Sequence, residues 1–279
     1  MSLISLLIAL ASQKLLSSSL WQFSTFYSRY LKTLSNIAIF KTPFKKLSTA
    51  IVAILTPVVI VHLFLNWIDD SLLYLVVSSL ILIICFGCIK TRELYKNYLL
   101  AAFRGEMTTC DMHHKQLQQD KNLPAMGFGQ MLIWLNYRYF IAIMFFFITF
   151  GAAGALFYRL LVTLSEKSGT EDEAFSDPVK ELVAKALFII DWLPVRLVAF
   201  GYMLVGHFSK AMPAWLENIF EIDKPAYKVL SDVAQKSEDF MIDEEDCTAE
   251  PCLLVRLAKR TSLLCLALVA LLILSGVIS

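Results

Sequence analysis

LSTAIVAILTPVVIVHLFLNWI, Leu47–Ile68, is a run of twenty-two residues without a charge, and it decides the fold. Asp69-Asp70 follows, and SLLYLVVSSLILIICFGCI, Ser71–Ile89, adds nineteen uncharged residues before Lys90. A helix rises about 1.5 Å per residue and the bilayer's hydrocarbon core is about 30 Å thick, so about twenty apolar residues cross it. Two such runs around a two-residue acidic turn read as a transmembrane hairpin. Pro57 in its first helix predicts a kink, and His62 reads as a packed neutral side chain.

Composition agrees. Hydrophobic residues are 57% and charged ones 18% of the 279 residues, against about 45–50% and about 25% in soluble domains. The net charge of +1 says little, but the charges are unevenly spread. Residues 1–46 hold six basic and no acidic residues, while 163–257 hold nine basic and eighteen acidic ones. This polarity bears on membrane orientation and carries no nucleic-acid signal. Cys85-x-x-Cys88 has redox spacing but is expected within a membrane helix, where a thiol acts as a small hydrophobe. Cys247 and Cys252 flank a short acidic loop and could pair only in an oxidising compartment.

Toward the N-terminus, MSLISLLIALASQ is apolar but shorter than a span. It lacks the basic start of a signal peptide, although Ala9-x-Ala11 resembles a cleavage site. A retained short apolar helix is the reading preferred, leading into WQFSTFYSRYLKTL, whose aromatic and basic residues suit the headgroup layer. Toward the C-terminus, TRELYKNYLLAAFRGEM reads as an amphipathic helix. Cys110-Asp111-Met112-His113-His114 collects metal-ligand types without the spacing of a site, and a solvated loop is expected there. Tyr139–Tyr158 is a third uncharged run, bracketed by Arg138 and Arg159. It either crosses or is a re-entrant hairpin, and its Gly151-Ala-Ala-Gly154 could permit close helix packing or a turn at membrane depth. Thr261–Ser279 is a last uncharged run of nineteen residues.

LFIIDWLPVRLVAFGYMLVGHFSKAMPAWL, Leu187–Leu216, carries Asp191, Pro194 and Arg196 inside an apolar stretch. A charge at mid-membrane costs roughly 2.5–3.5 kcal/mol, so such groups face protein, water or one another. Proline breaks or kinks a helix, and a break between opposite charges would make a polar pocket. Asp191 and Arg196 are therefore expected in one cluster with Arg159 or Tyr158. The alternative leaves both at the interface, with Arg196 snorkelling to the headgroups.

Together these segments predict an all-α, multipass helical integral membrane protein with 4–5 spans plus the short N-terminal helix. They form one membrane domain, 1–279. Its parts are a basic arm (1–46), the hairpin (47–89), a polar cytoplasmic loop (90–138), an apolar run with an acidic loop and a Pro-broken segment (139–207), an amphipathic acidic region (208–257) and a C-terminal span (261–279). If 192–207 crosses, twenty of the twenty-five basic residues lie on one side, as the positive-inside rule demands. No Walker A loop, dinucleotide-binding glycine fingerprint, nucleophile elbow or HExxH occurs.

Three elements carry a resemblance: Trp134-Leu-Asn136-Tyr-Arg138, Asp191-Trp-Leu-Pro194-Val-Arg196, and Gly206-His207 with Ala211-Met-Pro213-Ala-Trp215. In these, and across nearly its whole length, the chain resembles the AmpE family of bacterial inner-membrane proteins. The resemblance implies regulation linked to β-lactamase expression and cell-wall stress signalling, with lipid and an unknown small molecule or signalling partner as contacts. More distantly, Gly154-Ala-Leu-Phe-Tyr158-Arg159 and Asp191…Pro194-Val-Arg196-Leu resemble the CobD/CbiB membrane synthases of cobalamin biosynthesis. Where those have a Glu-Asn…Asp cluster, this chain has Trp134, Asn136 and Arg138, and LLVTLSEKSG replaces their Asn-Thr-x-Asp-Ser element. Metal-assisted or proton-transfer chemistry would need the missing carboxylates.

The candidate ligand-binding set is thus Asp191, Arg196, Arg159, Tyr158, Asn136, Arg138 and His207, with no catalytic residue, metal or cofactor expected. A non-enzymatic regulatory or sensory protein leads. A membrane enzyme acting on a nucleotide- or cell-wall-linked precursor, and a structural or transport accessory, are the alternatives. A transporter would show pseudo-symmetric halves, and no internal repeat is visible.

Overall fold

A computed structural model describes residues 2–13, 21–36, 46–167, 176–238 and 248–276. Among the described residues there are helices and no strands. In chain order they are α1 (Ser2–Ser12), α2 (Phe23–Ser35), α3 (Leu47–Trp67), α4 (Ser71–Phe86), α5 (Ile89–Phe103), α6 (Met107–Asp120) and α7 (Phe128–Asn136). A π-helical turn, Tyr137–Ile141, follows, then α8 (Ala142–Lys167), α9 (Asp177–Val205), α10 (Phe208–Phe220), α11 (Ala226–Ser237) and α12 (Ala249–Leu274). By length and composition three helical stretches can cross a membrane: Leu47–Trp67, Phe128–Lys167 and Ala249–Leu274. A fourth counts if Ser71–Phe86 and Ile89–Phe103 are one span. The all-α membrane class stands, with three to four such stretches where four to five spans were expected.

Packing divides the chain into two compact units. The first is Met1–Ile89 with Ala142–Leu187 and Ala270–Ser279; the second is Lys90–Ile141 with Phe188–Val269. In the first unit, α8 packs against α3 and α4, and α1 lies along α4 with Leu6 and Ala9 buried. Asp70 caps α4, its carboxylate accepting from the Leu72 N–H at 2.9 Å, which explains why the acidic turn ends where it does. The Tyr30 hydroxyl donates to the Ala53 carbonyl at 2.7 Å, and burial pushes its phenol above the usual tyrosine range.

The α8 helix is broken within: Gly151 has φ +68° and ψ −164°, a backbone open only to glycine. The Gly151–Gly154 stretch flagged as a site of close packing or turning is thus where the axis breaks. Two expectations change in this unit. His62 is not packed away but exposed, sharing a hydrogen bond of 3.1 Å with Asn66. The Cys85-x-x-Cys88 spacing does not lie within one helix, because α4 ends at Phe86.

In the second unit α10 packs on α11, and α11 on α7. The Cys110–His114 stretch, expected as a solvated loop, is part of α6. Local sequence favours no helix there, but tertiary contacts do. The Cys110 thiol donates to the Tyr98 carbonyl at 3.8 Å, a ring nitrogen of His114 lies 2.9 Å from the Met126 carbonyl oxygen, and Tyr98 stacks on Phe128 at 3.7 Å. The break expected at Pro194 is also absent, since α9 runs through it from Asp177 to Val205. A proline inside a helix costs about 3 kcal/mol, and packing of the buried neighbours Asp191, Val195 and Arg196 offsets that cost where the helical backbone continues. The helix that carries the C-terminal uncharged run begins well before Thr261, at Ala249. The Cys247–Cys252 pairing falls partly outside the described residues, as does the polar acidic stretch 163–186, of which 163–167 closes α8 and 177–186 opens α9.

Candidate functional site

The π-helical turn inserts one residue per turn into the path from α7, which rotates the side chains that follow it; such turns often occur at functional positions. Its first residue, Tyr137, is fully buried, and its hydroxyl donates to Asp191 Oδ1 on α9 at 2.7 Å. Asp191 is only 2% exposed, so this donor offsets part of the cost of burying the carboxylate.

Aromatic rings surround the turn. Trp134 stacks on Tyr137 with centroids 5.3 Å apart, and Tyr227 of α11 meets Trp134 edge-on at 6.4 Å. The Arg138 guanidinium lies 4.5 Å from the Trp134 ring centroid, a cation–π contact. Asn136 accepts a hydrogen bond from the Ser262 hydroxyl of α12 at 3.2 Å. Within this one recognition element of the sequence, Trp134 and Arg138 thus hold each other while Asn136 reaches α12.

Arg196 is 5% exposed and makes no ion pair with Asp191. At 3.6 residues per turn, five positions separate the two side chains by roughly 140° around the helix, and this is why the expected pair does not form. Arg196 Nη1 donates to the Trp192 carbonyl at 3.0 Å and Nη2 to the Glu221 carbonyl at 2.6 Å, with the guanidinium 4.3 Å from the Trp192 ring centroid. Glu221 is the C-cap of α10, so the cation sits where carbonyls lack helical partners and the helix dipole is negative. The Trp215 indole N–H returns a bond of 3.2 Å to the Arg196 carbonyl. Arg196 therefore acts as a clamp between α9 and α10.

Beside it, Lys224 Nζ lies 2.8 Å from Asp232 Oδ2 and 3.4 Å from Glu221 Oε2. Burial works against the Lys224 charge, but the two carboxylates outweigh it and hold the ammonium above the usual lysine range. At the other end of α10, the His207 backbone N–H donates to the Ser237 carbonyl at 2.8 Å. A side chain at Gly206 would start 2.3 Å from that same oxygen. The Gly206-His207 element is thus where the junction between α9 and α10 meets the C-terminal end of α11.

Five of the seven candidate residues, Asn136, Arg138, Asp191, Arg196 and His207, belong to this unit. Tyr158 and Arg159 belong to the first. There Tyr158 stacks on Phe146 at 4.8 Å, and the buried Arg159 guanidinium lies 5.2 Å from the Phe23 ring centroid. Sequence reasoning missed Tyr137, although it stands inside the quoted Trp134–Arg138 element, and missed the Glu221 carbonyl, which has no sequence signal.

Apolar helices of bilayer length, with buried Asp and Arg on α9, define an integral membrane protein of the all-helical class. A family model described as "Regulatory signalling modulator protein AmpE" matches residues 1–279, and the chain belongs to the AmpE family. It is 29% identical over 219 residues to Protein AmpE of Shigella flexneri, covering 72% of this chain and 74% of that one. A local match of 74 residues at 35% identity links it to Cobalamin biosynthesis protein CobD of Chromobacterium violaceum, covering 26% of this chain and 23% of that protein. No solved structure matches.

Proposed function

We propose that this protein is a multipass component of the bacterial inner membrane that modulates β-lactamase induction in response to cell-wall stress. In this reading it acts as one membrane domain and binds a small molecule or signalling partner through the buried polar positions Asp191 and Arg196, which lie on different sides of α9. The family's description as a regulatory signalling modulator sets the class. The observation that carries the site is the buried Tyr137–Asp191 hydrogen bond on a π-helical turn. An ionisable residue kept inside an apolar helix is a functional candidate by default, and the π-helical turn aims a donor at it.

The chain crosses the membrane five times in this proposal, with α9 entering the bilayer through 192–207. The basic N-terminal arm, the 90–138 segment and the 207–260 segment then face the cytoplasm. The direct test measures β-lactamase induction in cells carrying Asp191→Asn or Arg196→Ala in the full chain, alongside abundance in the membrane fraction. Induction should fall while abundance holds, because insertion rests on apolar length. Normal induction in both variants would defeat the proposal.

The local similarity to CobD favours a second reading, a membrane enzyme using the same cluster. Against it stand Trp134, Asn136 and Arg138, where acid–base or metal chemistry would want carboxylates. Rescue of a strain lacking CobD by this chain would decide for the enzyme.

A further inference from the structure

Arg196 is buried, and among the described residues no carboxylate lies within ion-pair distance of it. A guanidinium carries five N–H donors. One goes to the Trp192 carbonyl and one to the Glu221 carbonyl, while Nε is shielded from solvent and has no acceptor. The end of α10 offers the cation a dipole worth about half a charge. Much of the charge therefore stays uncompensated, in a place where buried charges are ordinarily paired. Glu221, whose carbonyl Arg196 holds, turns its own carboxylate to Lys224 at 3.4 Å.

Two more orphan groups share the seam between α9 and α10. Trp192 stands one turn before Arg196 with its ring centroid 4.3 Å from the guanidinium, and its indole Nε1 is shielded and without an acceptor. On α10, Trp215 and Glu221 both bond to Arg196. Asn218 lies midway between them, three residues from each and so on the same face. It is 2% exposed; its amide nitrogen donates to the Ala214 carbonyl at 2.6 Å, and its Oδ1 accepts nothing. Buried polar groups almost always have a partner. A single water would satisfy a donor and an acceptor here, but not the charge.

We propose that the α9–α10 seam binds an oxyanion, a phosphate or carboxylate group, on the Arg196 Nε–H and the Trp192 indole N–H, with Asn218 Oδ1 receiving an N–H or O–H carried beside it. The planar fork of a guanidinium matches either oxyanion and stays charged at every physiological pH. The same group has two sources, a phospholipid headgroup or a soluble anionic compound. Arg196 is thereby given a ligand class within the site proposed above, and its place in signalling rests on that reading.

The experiment titrates inorganic phosphate and, separately, acetate into the delipidated full chain in a neutral detergent, read by calorimetry against chloride at equal ionic strength. A parallel arm adds phosphatidylglycerol and counts bound lipid by native mass spectrometry. Wild type is compared with Arg196→Lys and with Trp192→Phe, which keeps a ring under the guanidinium and removes the N–H; circular dichroism checks that both variants are folded. At least one probe should bind wild type saturably and weaken about tenfold or more in each variant. Binding of phosphate or acetate without lipid identifies a soluble anion, and lipid binding that excludes phosphate identifies a headgroup; either supports the site. No saturable binding of any probe, or binding that Trp192→Phe leaves unchanged, overturns it. β-Lactamase induction separates the two levels. Oxyanion binding lost in Trp192→Phe, with normal induction in Asp191→Asn and Arg196→Ala, supports the site and defeats the signalling reading. Impaired induction in those variants without oxyanion binding to wild type defeats the oxyanion alone.

Discussion

The Tyr137 hydroxyl donates to Asp191 Oδ1 across 2.7 Å, joining positions 54 apart in sequence. The bond ties the π-helical turn to the one acidic residue inside the apolar part of α9. A buried carboxylate that loses a donor bears more of its desolvation cost, so the phenol and the acid should behave as a coupled pair.

Tyr137→Phe should therefore lower stability in detergent by about 1–3 kcal/mol, read as a fall in the thermal unfolding midpoint. Asp191→Asn keeps a hydrogen-bonding group and should lose less. The double variant should lose less than the sum of the two. Additive losses in this double-mutant cycle would show that the bond carries no coupling.

Arg196 serves α10 through two carbonyls, and its geometry cannot be copied by lysine. Arg196→Lys keeps the charge but has one compact ammonium for two acceptors and loses the planar stacking on Trp192. Both Arg196→Lys and Arg196→Ala should loosen α10, seen as faster amide hydrogen exchange through Ala214–Phe220, with little change in α11 away from the contact. A lysine variant with wild-type exchange would mean that charge alone suffices.

How much of this was legible beforehand differs by element. The hairpin was read as Leu47–Ile68 and Ser71–Ile89 and is found as Leu47–Trp67 and Ser71–Phe86, because a long uncharged run is a signal in composition itself. The Cys110–His114 helix was not legible, since its support comes from Tyr98 and Met126 and not from its own residues. Asp191 and Arg196 were read either as groups facing protein, water or one another or as interfacial charges, and both are buried. Their partners were not legible, because Pro194 was taken to break a helix that continues and so to bring together side chains that face apart. Tyr137 shows the same limit: its role comes from a π-helical turn, which leaves no period in the sequence.

Gly206 faces the Ser237 carbonyl so closely that even one methyl has no room. The obstacle is backbone, which cannot swing aside as a side chain can. Gly206→Ala should cost about 1–3 kcal/mol, as overpacking does, and raise protease sensitivity at the junction between α9 and α10. Ser237→Ala, which keeps that carbonyl, should be milder.

The Lys224 contacts carry a pH signature. Its folded-state pKa is raised, so its contribution is complete below the ordinary lysine value and is lost as pH rises through the higher folded value. Between neutral and mildly alkaline pH, Lys224→Met should thus show a constant stability difference from wild type. That difference should shrink only beyond the usual lysine range. A difference vanishing near neutral pH would contradict the raised value.

Topology supplies the last prediction. Twenty of twenty-five basic residues fall on one side in the five-span arrangement, so the N-terminal arm, the 90–138 segment and the 207–260 segment should face the cytoplasm. The reporting positions must be accessible, and Ser237 is not, being fully buried with its hydroxyl on the Val233 carbonyl. Thr33, Gln119 and Lys236 are exposed and can be changed singly to cysteine in a background that lacks accessible native thiols. Each should resist a membrane-impermeant maleimide in intact spheroplasts and react once the membrane is opened. Reaction of Lys236→Cys alone in intact spheroplasts would mean that α9 does not cross, which would place Arg256, Lys259 and Arg260 outside against the charge rule. Reaction of Gln119→Cys alone would instead imply that the Leu47–Phe86 hairpin is inserted in some other way, so the two positions test separate crossings.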